Sequence, residues 1–376
     1  MMDKRTCPQC GYENVRRAVF CFQCGASLDS SPAQHGIHRR HRPVEEAVQS
    51  LNHPEDAPDS ALSQRLRAAR SDSPPALEGI PIICLRCGTR NAPPADSCAG
   101  CGAALTLPRD AAPADLVPRA AARSSVGRVR GNNEDRIGLW ARQGVVLALV
   151  ADGMGGALAG EEASRLTLET IHADFVGEAH GSEGLHTLSD NEVAGKLRRS
   201  IRRANRVVMR RAAGNREFQG MGTTVTLAFV RGAQVLVAHI GDSRAYMISG
   251  SGGWISQITD DHSFVEALMA AGHITPEQAA VHPMRNVLYR ALGQVDDTEA
   301  DLYVRPLSAG DWLMLCSDGL TRHVTGAEMV GAVQTGATPD EVARRLVALA
   351  NERGGEDNIS VVAIAMQRAD EIVPGA

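Results

Sequence analysis

The sequence predicts an α+β chain in which antiparallel sheets are flanked by helices and preceded by two small cysteine-rich modules. Two observations lead to this prediction. From about residue 122 onward, apolar runs typical of strands come as adjacent pairs, and helical stretches cluster between the pairs. A doubly wound fold would instead alternate single strands with single helices. Nearer the N-terminus, eight of the nine cysteines occur in two copies of one spacing pattern.

The strands are predicted from short apolar runs that are rich in β-branched residues and bounded by Gly, Ser or Asp. Five runs have this character: 145–150, 225–230, 235–240, 312–316 and 359–365. Between them lie four stretches predicted as helices: 160–175, 192–213, 264–271 and 339–353. In the second helix, Leu197, Ile201, Ala204 and Val208 form an apolar stripe at helical spacing.

The cysteine pattern is an internal repeat, because each cysteine of the second set lies 77 positions after its counterpart in the first. Several glycine, asparagine and leucine positions recur at the same offset. Paired Cys-x-x-Cys turns present four thiolates in the tetrahedral arrangement that suits Zn²⁺, so the repeat predicts two zinc ribbons, each holding one ion. A disulfide framework is the alternative, but no secretion signal supplies an oxidising compartment. The predicted ligands are Cys7, Cys10, Cys21, Cys24, Cys84, Cys87, Cys98 and Cys101.

Composition along the chain divides it into modules and spacers. A linker rich in Pro, Ser, Ala, Asp and Arg separates the ribbons, and a shorter Pro-containing spacer precedes the large folded domain. The predicted boundaries are 1–28 for the first ribbon, 29–83 for the flexible linker, 84–105 for the second ribbon, 106–121 for the spacer, 122–367 for the domain and 368–376 for a frayed tail.

The 376-residue chain is mildly acidic, with 39 Lys+Arg and 44 Asp+Glu. Its apolar runs are far shorter than the ~20 residues that a membrane span requires, and its N-terminus has no apolar signal region. We therefore expect a soluble, cytoplasmic protein with no membrane partner. Few basic residues surround the ribbons, so they are expected to contact proteins, and nucleic acid is an unlikely partner.

Five aspartates spread over the domain each lie in a short turn-like motif, most of them at the end of an apolar run. Carboxylates that converge on one spot repel one another unless a divalent cation neutralises them. The simplest purpose for such a cluster is a hydrolytic site with two metal ions. The five are Asp135, Asp152, Asp242, Asp318 and Asp357.

Nine short strings give the domain a resemblance to the bacterial form of the metal-dependent type 2C protein serine/threonine phosphatases. They occur in the order of that family and cover essentially the whole domain. The strings are VRGNNED at 129–135, ADGMGG at 151–156, MGTT at 221–224, GDSR at 241–244, DHS at 261–263, HPMRNV at 282–287, RALG at 290–293, SDGL at 317–320 and DNIS at 357–360.

The resemblance implies a β-sandwich of two antiparallel sheets with helices outside and a metal pair in a cleft at one edge. It implies that Asp152 bridges two Mn²⁺ or Mg²⁺ ions, that the carbonyl of Gly153 binds one of them, and that Asp318 and Asp357 hold the other. Oxygen ligands suit these hard ions better than they suit zinc.

Further positions follow from the same resemblance. Glu134 and Asp135 are expected beside the glycine-bound ion, and Asp242 is expected to share a third, weaker ion with Asp318. Arg130 resembles the arginine that grips the substrate phosphate, and its planar fork of donors suits two phosphate oxygens. The segment 261–293 is expected beside the cleft, where it would influence substrate choice.

The expected reaction is the hydrolysis of phosphoserine and phosphothreonine in proteins that a serine/threonine kinase has modified. A water shared by two such ions loses a proton near neutral pH and attacks phosphorus in line. Met154 stands where eukaryotic relatives have a histidine that is proposed to protonate the leaving alkoxide. The general acid therefore stays open between a metal-bound water and a histidine such as His239 or His262.

Other interpretations stay open at this level. Aspartate favours turns, so the five aspartates could be turn or capping residues. Asp242 could order a hairpin, Glu134 could be a solvated neighbour of Asp135, and Arg130 could be a surface ion-pair partner. The alternative function is a regulatory or scaffold protein in which the ribbons bind partners and the domain senses phosphorylated proteins without turning them over.

Overall fold

The computed structural model describes residues 4–6, 13–15, 82–84, 90–91, 99–100, 102 and 116–371, apart from 143, 177–184, 251–253, 297 and 337. Two compact units divide the chain, at residues 1–78 and 79–376. In the first unit, a short antiparallel pair joins β1 (Lys4–Thr6) to β2 (Glu13–Val15). The other strands and the helices that we number lie in the second unit.

The strands of the second unit are β3 (Ile82–Cys84), β4 (Arg90–Asn91), β5 (Leu116–Ser125), β6 (Arg136–Arg142), β7 (Val145–Ala151), β8 (Gly153–Met154), β9 (Gly222–Thr223), β10 (Val225–Arg231), β11 (Gln234–Ile240), β12 (Arg244–Ile248), β13 (Trp254–Gln257), β14 (Asp301–Pro306), β15 (Trp312–Cys316) and β16 (Ile359–Arg368). The helices are α1 (Ala157–Phe175), α2 (Asp190–Gly214), α3 (Phe264–Ala270), α4 (Pro276–Ala280), α5 (Asp318–Thr321), α6 (Gly326–Thr335) and α7 (Pro339–Glu352).

Two antiparallel sheets form the body of the domain. The first has the strand order β14-β11-β10-β7-β6, and the second has the order β4-β3-β13-β12-β15-β16-β5. The small β8–β9 pair stands apart from both sheets. The predicted fold class, a β-sandwich of antiparallel sheets flanked by helices, is therefore confirmed.

Three layers of apolar side chains hold the sandwich together. Alternate residues of β7, such as Val146 and Ala148, face residues of β15 and β16, such as Leu313 and Val362, in the core between the sheets. The opposite faces of the sheets pack against helices, α1 and α2 on the first sheet and α6 and α7 on the second. This alternation arises because successive side chains of a strand point to opposite faces.

The second sheet begins earlier in the chain than the predicted domain. Strand β5 pairs with β16 from Leu116 onward, so Leu116–Ala121 belongs to the sheet although the sequence placed it in a spacer. Pro118 obscures the strand signal here, and it is tolerated because β5 lies at the sheet edge. The predicted module boundaries otherwise stay a prediction.

The strand that ends at the first cysteine of the second set also belongs to this sheet. Strand β3 pairs with β13, with Cys84 opposite Trp254 and Ile83 opposite Ile255. Cys84 is the only predicted zinc ligand within the described residues. The other seven, Cys7, Cys10, Cys21, Cys24, Cys87, Cys98 and Cys101, lie outside them. Among the helices that the structure describes, none is long and apolar enough to cross a membrane.

Candidate metal centre

The acidic residues singled out by the sequence lie in loops at one edge of the sandwich, which we name the acidic edge. Neighbouring antiparallel strands bring the start of one strand beside the end of the next. Arg136 at the start of β6 pairs with Ala151 at the end of β7, which places Asp135 and Asp152 at the same end of the sheet. The acidic edge consists of Glu134, Asp135, Asp152, Asp242, Asp318 and Asp357.

The aspartates of the acidic edge converge around Asp152. Burial raises the pKa of Asp152 well above its ordinary value, and the negative charges around it raise the pKa further. Those charges belong to Asp135, Asp318, Asp242 and Asp357. The sequence had only placed these residues in separate turns, and the structure brings all of them within electrostatic range of one carboxylate.

Asp135 is almost completely buried and holds the two sheets together at this edge. Its Oδ2 accepts a hydrogen bond from Ser317 Oγ at 2.8 Å, and Ser317 Oγ in turn accepts from the Ser360 amide at 3.0 Å. Burial raises the pKa of Asp135 to about 7, against the hydrogen bonds from Ser360 and Ser317, which lower it. Its other oxygen, Oδ1, is buried and has no hydrogen-bond partner.

Asp318 and Asp357 face two arginines. Arg322 Nη2 donates to Asp318 Oδ2 and also lies near Asp357, with 3.7 Å from Nη1 to Asp357 Oδ2. Arg130 Nη2 donates to the same Asp357 oxygen at 3.0 Å. Asp318 Oδ1 is buried without a hydrogen-bond partner, and burial raises the pKa of this carboxyl despite Arg322.

Thr224 couples the loops that carry Asp152 and Asp242. The Asp152 amide donates to Thr224 Oγ1 at 2.9 Å, and the Thr224 amide donates to the Asp152 carbonyl at 2.8 Å. On the other side, Gly241 packs against Thr224 with φ +111°, and a Cβ there would lie 2.6 Å from the threonine Cβ. A side chain at Gly241 would therefore displace Asp242. Burial raises the pKa of Asp242 to about 8.

Gly153 and Glu134 meet the start of α1 at a point where no side chain fits. A Cβ on Gly153 would lie 2.1 Å from the Gly160 carbonyl oxygen, and a Cβ on Gly160 would lie 1.9 Å from Glu134 Oε2. Glu134 is buried, and this burial raises its pKa even though Arg130 lowers it. Glu134 is therefore a built part of the acidic edge, and the interpretation of a solvated neighbour is not supported.

Asn358 fixes the loop that carries Arg130, Glu134 and Asp135. Its buried side chain donates through Nδ2 to the carbonyls of Val126 and Asn132, both at 2.9 Å, and accepts at Oδ1 from the Glu134 amide at 2.8 Å. The sequence contained Asn358 within a recognised string but gave it no role. Only its position next to Asp357 could have drawn attention to it.

The residues of the acidic edge suit divalent cations with oxygen ligands. Two buried carboxylate oxygens, Asp135 Oδ1 and Asp318 Oδ1, lack any protein donor, which is costly unless a cation is their partner. Within the described part of the chain, no three His, Cys, Asp or Glu side chains are already gathered in ligand geometry. Arginine and serine donors occupy the remaining oxygens of Asp135, Asp318 and Asp357.

The two histidines considered as general acids are committed to the fold. His239 is fully buried between Thr226 Oγ1 and the Gly241 carbonyl, each at 3.0 Å, and burial lowers its pKa to about 3. His262 accepts the Gly241 amide at Nδ1, so its Nε2 carries the proton and donates to Asp301 at 3.0 Å. Neither ring is free to deliver a proton to a leaving group.

A groove of about 690 Å³ opens next to the acidic edge. Asp242, Asp318 and Arg322 line one side of it. The opposite side is formed by α3, α4 and the loop after α4, which supply Val265, Met269, Ala280, Val281 and Arg285. The segment 261–293 thus lies beside the site, as expected, and it presents apolar side chains together with Glu266 and Arg285 to the groove.

We expect the stability of the metal-free protein to fall as the pH rises between about 4 and 8. In the folded state the pKa values of Asp135 and Asp242 are raised to about 7 and about 8. The unfolded chain binds fewer protons in this window, and stability therefore decreases with increasing pH. Each kcal/mol lost corresponds to about 2–4 °C in Tm for a domain of this size.

Thermal unfolding in chelator, followed by tryptophan fluorescence, measures this dependence. All three tryptophans lie in the sandwich domain, so the signal follows the unfolding of that domain. Asp135→Asn should reduce the slope, and added Mn²⁺ should reverse it, since the ion binds the ionised carboxylates. A Tm that rises with pH in chelator would contradict the prediction.

Comparison with known proteins identifies two families along the chain. The family described as protein phosphatase 2C matches residues 127–357, and the family described as double zinc ribbon matches residues 7–102. The serine/threonine phosphatase stp of Listeria monocytogenes is 36% identical over 243 residues, which cover 64% of this chain and 93% of that protein.

Among solved structures, serine/threonine phosphatases are also similar to this chain. The serine/threonine phosphatase of S. agalactiae is 34% identical, with a TM-score of 0.61, and the match covers 66% of this chain and 99% of that one. The catalytic domain of the serine/threonine protein phosphatase PstP in complex with two manganese ions is 37% identical, with a TM-score of 0.57 over 67% of this chain and 99% of that one.

Proposed function

Because the chain belongs to the protein phosphatase 2C family, we propose that it hydrolyses phosphoserine and phosphothreonine in proteins with two Mn²⁺ or Mg²⁺ ions at the acidic edge. The observation that carries this proposal is the convergence of four aspartates around Asp152, two of which keep a buried oxygen without a protein donor. The PstP structure with two manganese ions supports the choice of metal.

The ligand assignment extends the sequence-based prediction to the folded site. Asp152 would bridge the two ions, the Gly153 carbonyl with Glu134 and Asp135 would serve one of them, and Asp318 with Asp357 would serve the other. When bound, the ions neutralise the carboxylates, polarise the phosphate and activate a water for attack. The packing of Gly153 on Gly160 and of Thr224 on Gly241 holds these groups in place.

Arg130 is proposed to hold the substrate phosphate. Its side chain is 48% exposed and reaches Asp357 from the solvent side of the acidic edge. A guanidinium in this position can turn two parallel N–H donors toward two phosphate oxygens, which fixes the orientation of the ester for in-line attack. Both ring nitrogens of His239 and of His262 are engaged in hydrogen bonds within the fold. Of the proton donors proposed from the sequence, a metal-bound water remains.

The two cysteine repeats are proposed to hold one Zn²⁺ each and to contact protein partners, including those that bring the enzyme to its substrates. The double zinc ribbon match over residues 7–102 supports the ligand set. The zinc content of the purified chain tests it, with two ions expected and fewer than one contradicting it. The sparse basic residues of this region argue against nucleic acid.

The decisive assay for the proposed activity is phosphate release from a phosphothreonine peptide by the full chain, with Mn²⁺, with Mg²⁺ and with chelator. We expect release that requires a divalent ion and that returns when Mn²⁺ replaces the chelator, because Arg130 and Arg322 together balance only two of the six carboxylates and neither can activate a water. Folded protein that releases no phosphate with either ion would overturn the proposal in favour of a sensing or scaffold role.

A further inference from the structure

One arginine of the chain contacts an aspartate to which the family resemblance assigns a third metal ion. The two carboxylates implied for that ion are Asp242 and Asp318, and both line the groove beside the acidic edge. The guanidinium of Arg322 donates to Asp318 Oδ2 and lines the same groove. Arg322 belongs to none of the nine strings, and only its position in the fold reveals its partners.

The Arg322 side chain is fixed in this position from three directions. It directly follows the last residue of α5, one helical turn after Asp318, at the i,i+4 spacing that favours an ion pair. Its Nη2 also donates to Asn286 Oδ1 at 3.2 Å, and its Nη1 lies 3.7 Å from Asp357 Oδ2. Because only 29% of the side chain is exposed, the contact is not a freely solvated surface pair.

The charges around Arg322 confirm that it acts as a local counter-ion. Burial alone would lower the pKa of the guanidinium, yet the carboxylates of Asp318, Asp357 and Asp242 raise it above its ordinary value. Reciprocally, burial and the charges of Asp318 and Asp261 raise the pKa of Asp242, and the charges of Arg244 and Arg322 lower it. Arg322 therefore contacts one carboxylate that a third ion would need and lines the same groove as the other.

The charge balance of the acidic edge leaves no need for a third divalent ion. Its six carboxylates carry six negative charges when ionised. Two divalent ions supply four positive charges, and Arg130 and Arg322 supply one each through their contacts with Asp357 and Asp318. A third ion would have to displace a tethered guanidinium from Asp318, at a cost that a weakly bound ion does not recover.

We propose that Arg322 takes the place of the third, weaker ion between Asp242 and Asp318, so that the acidic edge of this protein binds two Mn²⁺ or Mg²⁺ ions and excludes a third. The proposal rests on the two-ion site of the proposed function. Arginine suits the task because it stays charged at every relevant pH and its planar fork matches carboxylates.

The test counts Mn²⁺ ions bound to the zinc-loaded full chain, using the EPR signal of free Mn²⁺ in a titration that extends to millimolar concentrations. Thiolate ribbons loaded with zinc compete little for Mn²⁺, since that ion prefers oxygen ligands. We expect two bound ions in the wild type, three in Arg322→Gln and two in Arg322→Lys, which retains the cation. No turnover is needed for this readout.

Two further variants separate the local effect from general charge. Arg203→Gln removes an arginine that pairs with Asp174 on the helical surface, and it should leave the count at two. Adding Asp242→Asn to Arg322→Gln should return the count from three to two. Three ions in the wild type, or two in Arg322→Gln, would overturn the proposal. Fewer than two in the wild type would overturn both this proposal and the proposed function.

Discussion

Replacing Asp152 by alanine is expected to lower kcat/KM for a phosphothreonine peptide by about 10³-fold or more, and to make the metal-free protein more resistant to heat. The loss of activity follows because Asp152 is the one carboxylate whose charge interacts with those of Asp135, Asp242, Asp318 and Asp357. Without it, the two ions lose the ligand that they would share, and a 10³-fold loss corresponds to about 4 kcal/mol of transition-state stabilisation.

The gain in stability has a separate cause. Burial and four neighbouring negative charges raise the pKa of Asp152 well above its ordinary value, which means that its ionised form opposes folding. Alanine removes that unfavourable term when no cation is bound. Opposite effects on activity and on metal-free stability would distinguish a lost ligand from a protein that merely folds poorly.

The measurement pairs peptide hydrolysis in Mn²⁺ with thermal unfolding in chelator and in Mn²⁺. Asp311→Asn is the matched control, since Asp311 is also a buried turn aspartate with a raised pKa but lies at the opposite end of β15 from the acidic edge. It should retain activity and the Mn²⁺-induced rise in Tm. Full activity in Asp152→Ala, or an unchanged response of its Tm to Mn²⁺, would refute the role of Asp152.

The parts of this site that the sequence predicts are those with a local signature. These are aspartates at the ends of apolar runs, glycines in tight turns and the short strings of the family. Each such feature consists of residues that lie only a few positions apart in the chain. Such features identify Asp152 and Gly153 before any coordinates are known. The structure adds the reason for the glycine, namely the approach of the Gly160 carbonyl.

Side chains that act across the sandwich leave no such local signature. Ser317 reaches Asp135 over a separation of 182 residues, and Asn358 reaches the Glu134 amide over 224 residues. Arg322 comes shortly after a recognised string, and in the sequence it looks like an ordinary arginine on a helix surface. Their roles depend on which strands are neighbours, and strand order is set by tertiary packing that periodicity does not encode.

The strands also differ in how clearly the sequence predicts them. Strands β7, β10, β11, β15 and β16 lie near the centres of the two sheets and show as continuous apolar runs, because most of their side chains are buried on both faces. Strand β5 lies at an edge, contains Pro118 and is half-buried or exposed at most of its positions, so its sequence resembles a spacer.

Replacing Asn358 by alanine is expected to weaken Mn²⁺ binding about tenfold and to lower the free energy of unfolding by about 2–5 kcal/mol. The variant loses three hydrogen bonds of a buried side chain, those with the Glu134 amide and with the carbonyls of Val126 and Asn132. Since this loop carries both Glu134 and Asp135, its release disorders one half of the metal centre, and a misplaced supporting shell typically costs 10–100-fold in affinity.

Asn205 provides a control with nearly the same set of hydrogen bonds. It is fully buried, donates to the Val295 and Asp296 carbonyls at 2.7 and 3.1 Å, and accepts from the Gly293 amide at 2.7 Å. The loop that Asn205 holds, at residues 293–296, contributes no member of the acidic edge. Asn205→Ala should therefore lose comparable stability while its Mn²⁺ affinity stays at the wild-type value.

The comparison of the two alanine variants separates positioning from stability. If both weaken Mn²⁺ binding equally, the effect of Asn358 is a general loss of stability and it has no positioning role. If only Asn358→Ala loses affinity, the hydrogen bonds that join the last strand to the Val126–Glu134 loop are what holds Glu134 and Asp135 in ligand position. Because Asn358 adjoins Asp357 in the chain, that result would mean that one short segment supplies a ligand to one ion and orients the ligands of the other.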